Sequence, residues 1–202
     1  MCWGCEIMAG TSVHLTEDKI TQAINNAQQG IKQYLEIMRL FPRVNVALNE
    51  KFQEKYNAFY RVRQRKEQWY QVYYQYMESQ KGIEVSFSQA LRYFQKHLGR
   101  YEPSFSSKLV ATHNPNMPIW DRNVLKIIGI EIPAYTSPLK FKKAETTYLE
   151  MQNWYRGFIS SHEGIMIINK FNELISGAEL ITNTKKVDFV LWKYKPDDPP
   201  CQ

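Results

Sequence analysis

Apolar residues recur at helical spacing along almost the whole chain, and no stretch alternates as a half-buried strand must. Ile20, Ala23, Ile24, Ala27, Ile31, Tyr34, Leu35 and Met38 follow one helical face behind Thr16-Glu17-Asp18. Phe41-Pro42 ends that run, because a residue before proline is driven out of the α region. A second pattern is expected from Val44 to Tyr60, through Val46, Leu48, Phe52, Tyr56 and Phe59. A third carries Trp69, Val72, Tyr73, Tyr76 and Met77 and stops near Gly82. Ser86 then caps a fourth with Gln89 three positions on, the arrangement of a capping box, and Gly99 is its stop. Three more helical patterns lie in the last third of the chain. Tyr148, Met151, Trp154 and Tyr155 mark the first, Ile165, Ile168 and Phe171 the second, and Val187, Val190 and Leu191 the third.

The expectation is an all-α chain: a compact multi-helix domain of eight to ten helices, in one body or two closely packed lobes. Residues 13–194 are expected to form a single helical domain. Residues 1–12 lack a core pattern, and the Pro-rich tail 195–202 reads as disordered, as does the first segment. At 202 residues the chain can bury a core without disulfides or metal.

Composition narrows the partners. The net charge of +6 favours an anionic partner, nucleic acid first and a membrane surface second. No apolar stretch is long enough to span a membrane, and the N-terminus has no secretory pattern. The 13 Tyr, 10 Phe and 5 Trp fit core packing by default, and base stacking as well. The three cysteines, Cys2, Cys5 and Cys201, sit at the termini and form no disulfide framework, so a reducing cytoplasm is the simplest compartment. Cys2 and Cys5 make a CxxC with His14 nearby, but a second compact ligand pair is missing, so no metal and no cofactor are expected.

The chemistry concentrates in residues 104–124, SFSSKLVATHNPNMPIWDRNV. Pro103-Ser104 is a helix entrance, with Ser104 expected as the N-cap and Lys108 one turn in. Asn114-Pro115-Asn116-Met117-Pro118 is a turn that stops this helix. Asp121 then caps a helix with Val124, Leu125, Ile127 and Ile128, closed by Gly129. Two readings of these residues stand side by side. In one, Ser104 and Asp121 are caps and Lys108 is a solvated lysine. In the other, Lys108 and Asp121 are a chemical pair.

The segment SFSSKLVA…PNMPIWDRNVLKIIGI resembles the catalytic segment of helix-hairpin-helix DNA glycosylases, most nearly the 8-oxoguanine-glycosylase-like branch. In that superfamily a lysine opens a helix after the hairpin, and a proline-preceded hydrophobic stretch leads to an aspartate at the start of the next helix. Lys108 matches the lysine, Asp121 the aspartate, and Val124 and Leu125 the packing positions behind it. The resemblance implies excision of a damaged or modified base from double-stranded DNA with the base flipped out, and an associated lyase activity. Lys108 would be the nucleophile and Asp121 the charge stabiliser. The hairpin glycines of the family are replaced here by serines, so Ser104, Ser106 and Ser107 are candidate phosphate donors. The lysine-to-aspartate spacing is also shorter than in the family.

The basic knot Arg61-Val62-Arg63-Gln64-Arg65-Lys66 adds Arg61, Arg63 and Arg65 as candidate DNA contacts. A solvated face paired with Glu67 and other acids is the plainer reading. His113, five residues after Lys108, is expected beside the turn with no chemical role. The alternative to an enzyme is a non-catalytic helical protein that binds DNA or a protein partner.

Overall fold

The computed structural model describes residues 15–194, so the Cys2/Cys5/His14 group, Cys201 and both expected disordered termini lie outside the described residues. Nine α-helices, and no strand, are present among the described residues. They are α1 (Glu17–Leu40), α2 (Glu50–Tyr60), α3 (Glu67–Ser79), α4 (Phe87–Leu98), α5 (Pro103–His113), α6 (Arg122–Ile127), α7 (Lys140–Ile159), α8 (His162–Leu174) and α9 (Asn183–Lys193). A single 3-10 turn, Ala178–Leu180, precedes α9. The all-α, multi-helix expectation holds.

Local chemistry sets most of the boundaries. Thr16 accepts from the Lys19 amide at the head of α1. Ser86 and Gln89 form the full capping box on α4, and Gly99 ends that helix at φ 64°, a conformation glycine adopts without a Cβ clash. One expected start moves. The second helix begins at Glu50, not at Val44. Asn45 takes the Ala47 amide onto its side chain at 3.0 Å, and Asn49 caps the Phe52 amide at 2.8 Å. Glu78 of α3 also accepts from the Val46 amide at 2.7 Å. These side-chain bonds offer the backbone of 44–49 an alternative to helix.

The buried side chains form one continuous cluster. Helix α9 packs against α1, α6, α7 and α8, while α4 joins α3, α5 and α7. Much of the aromatic excess goes into this core. Tyr56, Tyr73, Phe52 and Phe94 are fully buried, and Tyr56 and Tyr73 share a hydroxyl–hydroxyl bond of 2.8 Å. The Tyr73 hydroxyl also donates to the Phe105 carbonyl at 3.1 Å, so a buried polar atom ties α3 to α5. His113 likewise packs edge-on against Phe41 at 4.9 Å. Burial brings its pKa down to about 4, so it is a neutral ring of the fold, outside the cavity described below.

Helix α9 departs from the usual pattern. Every residue from Thr184 to Leu191 is buried, including Lys185, Lys186 and Asp188. A helix whose apolar and charged sides are both enclosed carries charges that need partners. Among the described residues, no helix is long and apolar enough to cross a membrane.

Candidate active site

Pro103, rather than Ser104, is the first residue of α5, and Glu102 occupies the cap position without a side-chain bond. Proline suits that place, since its missing N–H is unneeded there and its φ is already helical. The shift by one residue frees the Ser104 hydroxyl from capping. It donates to the Trp120 carbonyl at 3.0 Å. One turn on, Ser107 accepts from the Trp120 amide at 2.9 Å and donates to the Ser104 carbonyl at 2.8 Å. Both backbone groups of Trp120 are therefore clipped to the first turns of α5, which puts Asp121 beside Lys108.

The rest of the connecting loop is pinned as firmly. Asn114 accepts from the Asn116 amide at 3.1 Å, Thr182 donates to the Pro115 carbonyl at 2.6 Å, and Tyr148 donates to the Pro118 carbonyl at 2.9 Å. The Trp120 ring is buried and stacked parallel to Phe87, so it belongs to the core. Removing the Ser107 hydroxyl leaves the buried Trp120 amide without a partner. Ser107→Ala is expected to cost about 1–3 kcal/mol in denaturant unfolding and to loosen the Asp121 side of the site.

Asp121 caps α6 as expected, and in a way that leaves half of the carboxylate over. The Asn123 and Val124 amides both donate to Oδ1, at 2.8 and 3.3 Å, and Oδ2 accepts no protein bond among the described residues. The Lys108 amine donates to Ser104 Oγ at 3.2 Å and lies 3.5 Å from the Tyr60 carbonyl oxygen. Its ammonium position is also 4.7 Å from the centre of the Phe105 ring. Lys108 and Asp121 line one cavity of about 250 Å³. Among the described residues no ion pair joins them. Burial brings the Lys108 pKa down to about 8; Asp121 and Glu102 pull it up, and Lys185 and Arg65 push it further down.

The far wall of the cavity comes from α9. Lys185 Nζ is 2.5 Å from Asp188 Oδ2, and the Tyr155 hydroxyl donates to Asp188 Oδ1 at 3.2 Å. The side chains of this pair are only 6 % and 9 % exposed, which makes it an interior ion pair and not a surface one. Both Asp188 oxygens are occupied, whereas Asp121 keeps one free. Lys185 and Asp188 are functional candidates that the sequence reading missed. The available signal was Asp188 placed between Val187 and Phe189 in an apolar run, one turn after Lys185.

The other candidates divide. Arg61 ends α2 in the left-handed conformation, at φ 53°, and its guanidinium lies 5.6 Å from the centre of the Trp192 ring at the cavity. Arg63 is exposed and away from the cavity. Arg65 pairs with Glu102 at 3.2 Å and covers Trp69 and Phe105, which makes it a structural residue of the α3–α5 junction. Ser106 is buried and donates to the Glu102 carbonyl at 2.8 Å. Its hydroxyl and that of Ser107 are thus engaged within the protein and offer a phosphate no donor; Ser107, with Ser104, clips the Trp120 backbone, whereas Ser106 bonds back to the start of its own helix. Ser104 lines a second, wider cleft, with Tyr101 and Tyr135, that shares Asp121 and Asn123 with the first.

No protein-family model matches the chain, and neither a curated protein nor a solved structure matches it.

Proposed function

We propose that this protein is a DNA glycosylase that excises a damaged or modified base, with an associated lyase step. The observation that carries this reading is the shared cavity: Lys108 and Asp121 both line it, one Asp121 oxygen accepts no protein bond, and no ion pair joins the two among the described residues.

An amine and a carboxylate so placed suit cleavage of an N-glycosidic bond. Departure of the base builds positive charge on the sugar, which a fixed carboxylate stabilises. The Lys108 lone pair then forms a bond to C1′ as the C1′–N bond breaks, and the base leaves with the bonding pair and takes up a proton. Loss of the amine proton, taken up by the ring oxygen as the sugar ring opens, gives an imine; removal of a C2′ proton to a base or water then forms the C2′–C3′ double bond as the 3′ phosphate leaves. Lysine must be uncharged to attack, and an amine whose pKa is near 8 is partly uncharged at neutral pH. The volume is at the small end of ligand pockets and suits one flipped base. Phe59, Tyr60 and Trp192 supply aromatic surface at its wall.

The test is base release and borohydride trapping over a panel of duplexes, each with one damaged or modified base. Release with a trapped adduct on some member supports the reading. Retention by a duplex without chemistry favours a non-catalytic DNA-binding protein, and no interaction with any duplex removes DNA as the partner.

The three arginines are expected to separate in the same duplexes. Arg61→Ala should weaken binding and reduce the salt slope by about one. Arg63→Ala should do less, and Arg65→Ala should act through stability, because it leaves Glu102 with only Arg100 beside it.

A further inference from the structure

The Ser104 hydroxyl has two partners, and only one of them belongs to the turn. It donates to the Trp120 carbonyl at 3.0 Å and accepts from the Lys108 amine at 3.2 Å. We propose that Ser104 is a positioning residue for Lys108: its oxygen, with the Tyr60 carbonyl, decides which of the three ammonium protons is lost, and so leaves the lone pair of the uncharged amine free for a reacting carbon. This deepens the glycosylase reading and rests on it for the use made of that lone pair.

Hydrogen-bond directions carry the inference. A carbonyl oxygen accepts and cannot donate. Among the described residues, the hydrogen that reaches the Trp120 carbonyl is the one from Ser104. That hydrogen is committed, so Ser104 meets the amine with a lone pair of its own. The Tyr60 carbonyl, 3.5 Å from the same nitrogen, is likewise an acceptor only. Both neighbours therefore require an N–H from Lys108.

Four positions surround the nitrogen. One is the bond to Cε, and two are N–H groups claimed by these acceptors. In the ammonium the fourth carries a third proton, which has no oxygen partner among the described residues. The Phe105 ring, centred 4.7 Å away, brings no oxygen to it. The unpartnered proton is the easiest to give up to water, and the lone pair appears in its place. The uncharged amine keeps both of its bonds. These bonds also hold a long side chain that would otherwise spread over many rotamers. One comes from a residue four positions back on α5, the spacing at which helix side chains meet, and the other from the end of α2.

The experiment separates this hold from the turn it shares. Ser107→Ala opens the same clip from the Trp120 amide, but Ser107 has no bond to the Lys108 amine. Two readouts are taken on the full-length protein. One is the order of the Lys108 ε-methylene, from ¹³C relaxation NMR of lysine-labelled protein without DNA. The other is the rate of borohydride trapping at saturating abasic duplex at about pH 9.5, where Lys108 is mostly uncharged and a change in protonation has little effect. Ser104→Ala should release the ε-methylene and trap about tenfold more slowly than Ser107→Ala, with half-saturation by duplex close to wild type. Ser104→Cys, which fills the space but accepts hydrogen bonds poorly, should fall with Ser104→Ala. Ser104→Thr keeps the hydroxyl and should restore both readouts. An ε-methylene as ordered in Ser104→Ala or Ser104→Cys as in wild type overturns the proposal. So does trapping by Ser107→Ala as slow as by Ser104→Ala. If the methylene is released but no protein, wild type included, traps the abasic duplex, the hold on Lys108 stands and the glycosylase reading fails.

Discussion

Lys108→Ala should abolish the trapped adduct on a lesion duplex, and Asp121→Asn should slow base release by roughly 10²–10³-fold while leaving DNA binding close to wild type. The two losses differ in kind. In the proposed reaction Lys108 provides the bond to C1′, so its removal should end covalent chemistry altogether. In the same proposal Asp121 provides a charge that matters most as the base departs. Asparagine keeps the α6 cap, because the side-chain oxygen can still accept the Asn123 and Val124 amides, but it removes the negative charge. A fold effect and a chemical effect are thus separated by one substitution. The wild-type rate should depend on pH in a definite direction. Burial holds the Lys108 pKa near 8, so the attacking form grows as pH rises toward 8 and levels off above it. A rate that falls across that range contradicts Lys108 as the nucleophile.

Asp188→Ala is expected to destabilise the fold by about 3–5 kcal/mol, measured by denaturant unfolding near neutral pH. The residue sits inside α9, the helix shared by α1, α6, α7 and α8. Its loss leaves Lys185 as a buried cation with aromatic faces but no carboxylate, and leaves the Tyr155 hydroxyl without its acceptor. Removing both charges at once should cost much less, because a matched pair replaced by neutral groups leaves nothing unsatisfied. A double variant as unstable as Asp188→Ala would show that packing at α9, and not the unpaired charge, sets the cost.

What could be read from the sequence follows the range of the forces involved. The helices of the core, the Ser86–Gln89 box, the Gly99 stop and the Asp121 cap all rest on bonds between residues a few positions apart. That Lys108 and Asp121 would lie on one cavity was suggested by the resemblance, but not the means that brings them there. The means is a clip between Ser104, Ser107 and the Trp120 backbone, thirteen or more positions apart, made possible because Pro103 took the first place in α5. Three serines were expected at a phosphate; Ser104 and Ser107 hold the turn, and Ser106 bonds the Glu102 carbonyl. The basic knot misled for a similar reason. Three arginines that look equivalent in sequence meet different neighbours, and only Glu102, far along the chain, makes Arg65 structural. Lys185 and Asp188 were the hardest to see, since an i, i+3 pair of opposite charges is ordinarily a solvated one. What buries this pair is the packing of helices around α9, which no local pattern encodes.

The sharpest single measurement is the identity of the trapped lysine. The full-length protein is reduced with borohydride on a lesion duplex or an abasic duplex, digested, and mapped by mass spectrometry. The adduct should fall on Lys108 and disappear in Lys108→Ala. An adduct on Lys185 or any other lysine, or one that persists without Lys108, would contradict the proposed chemistry.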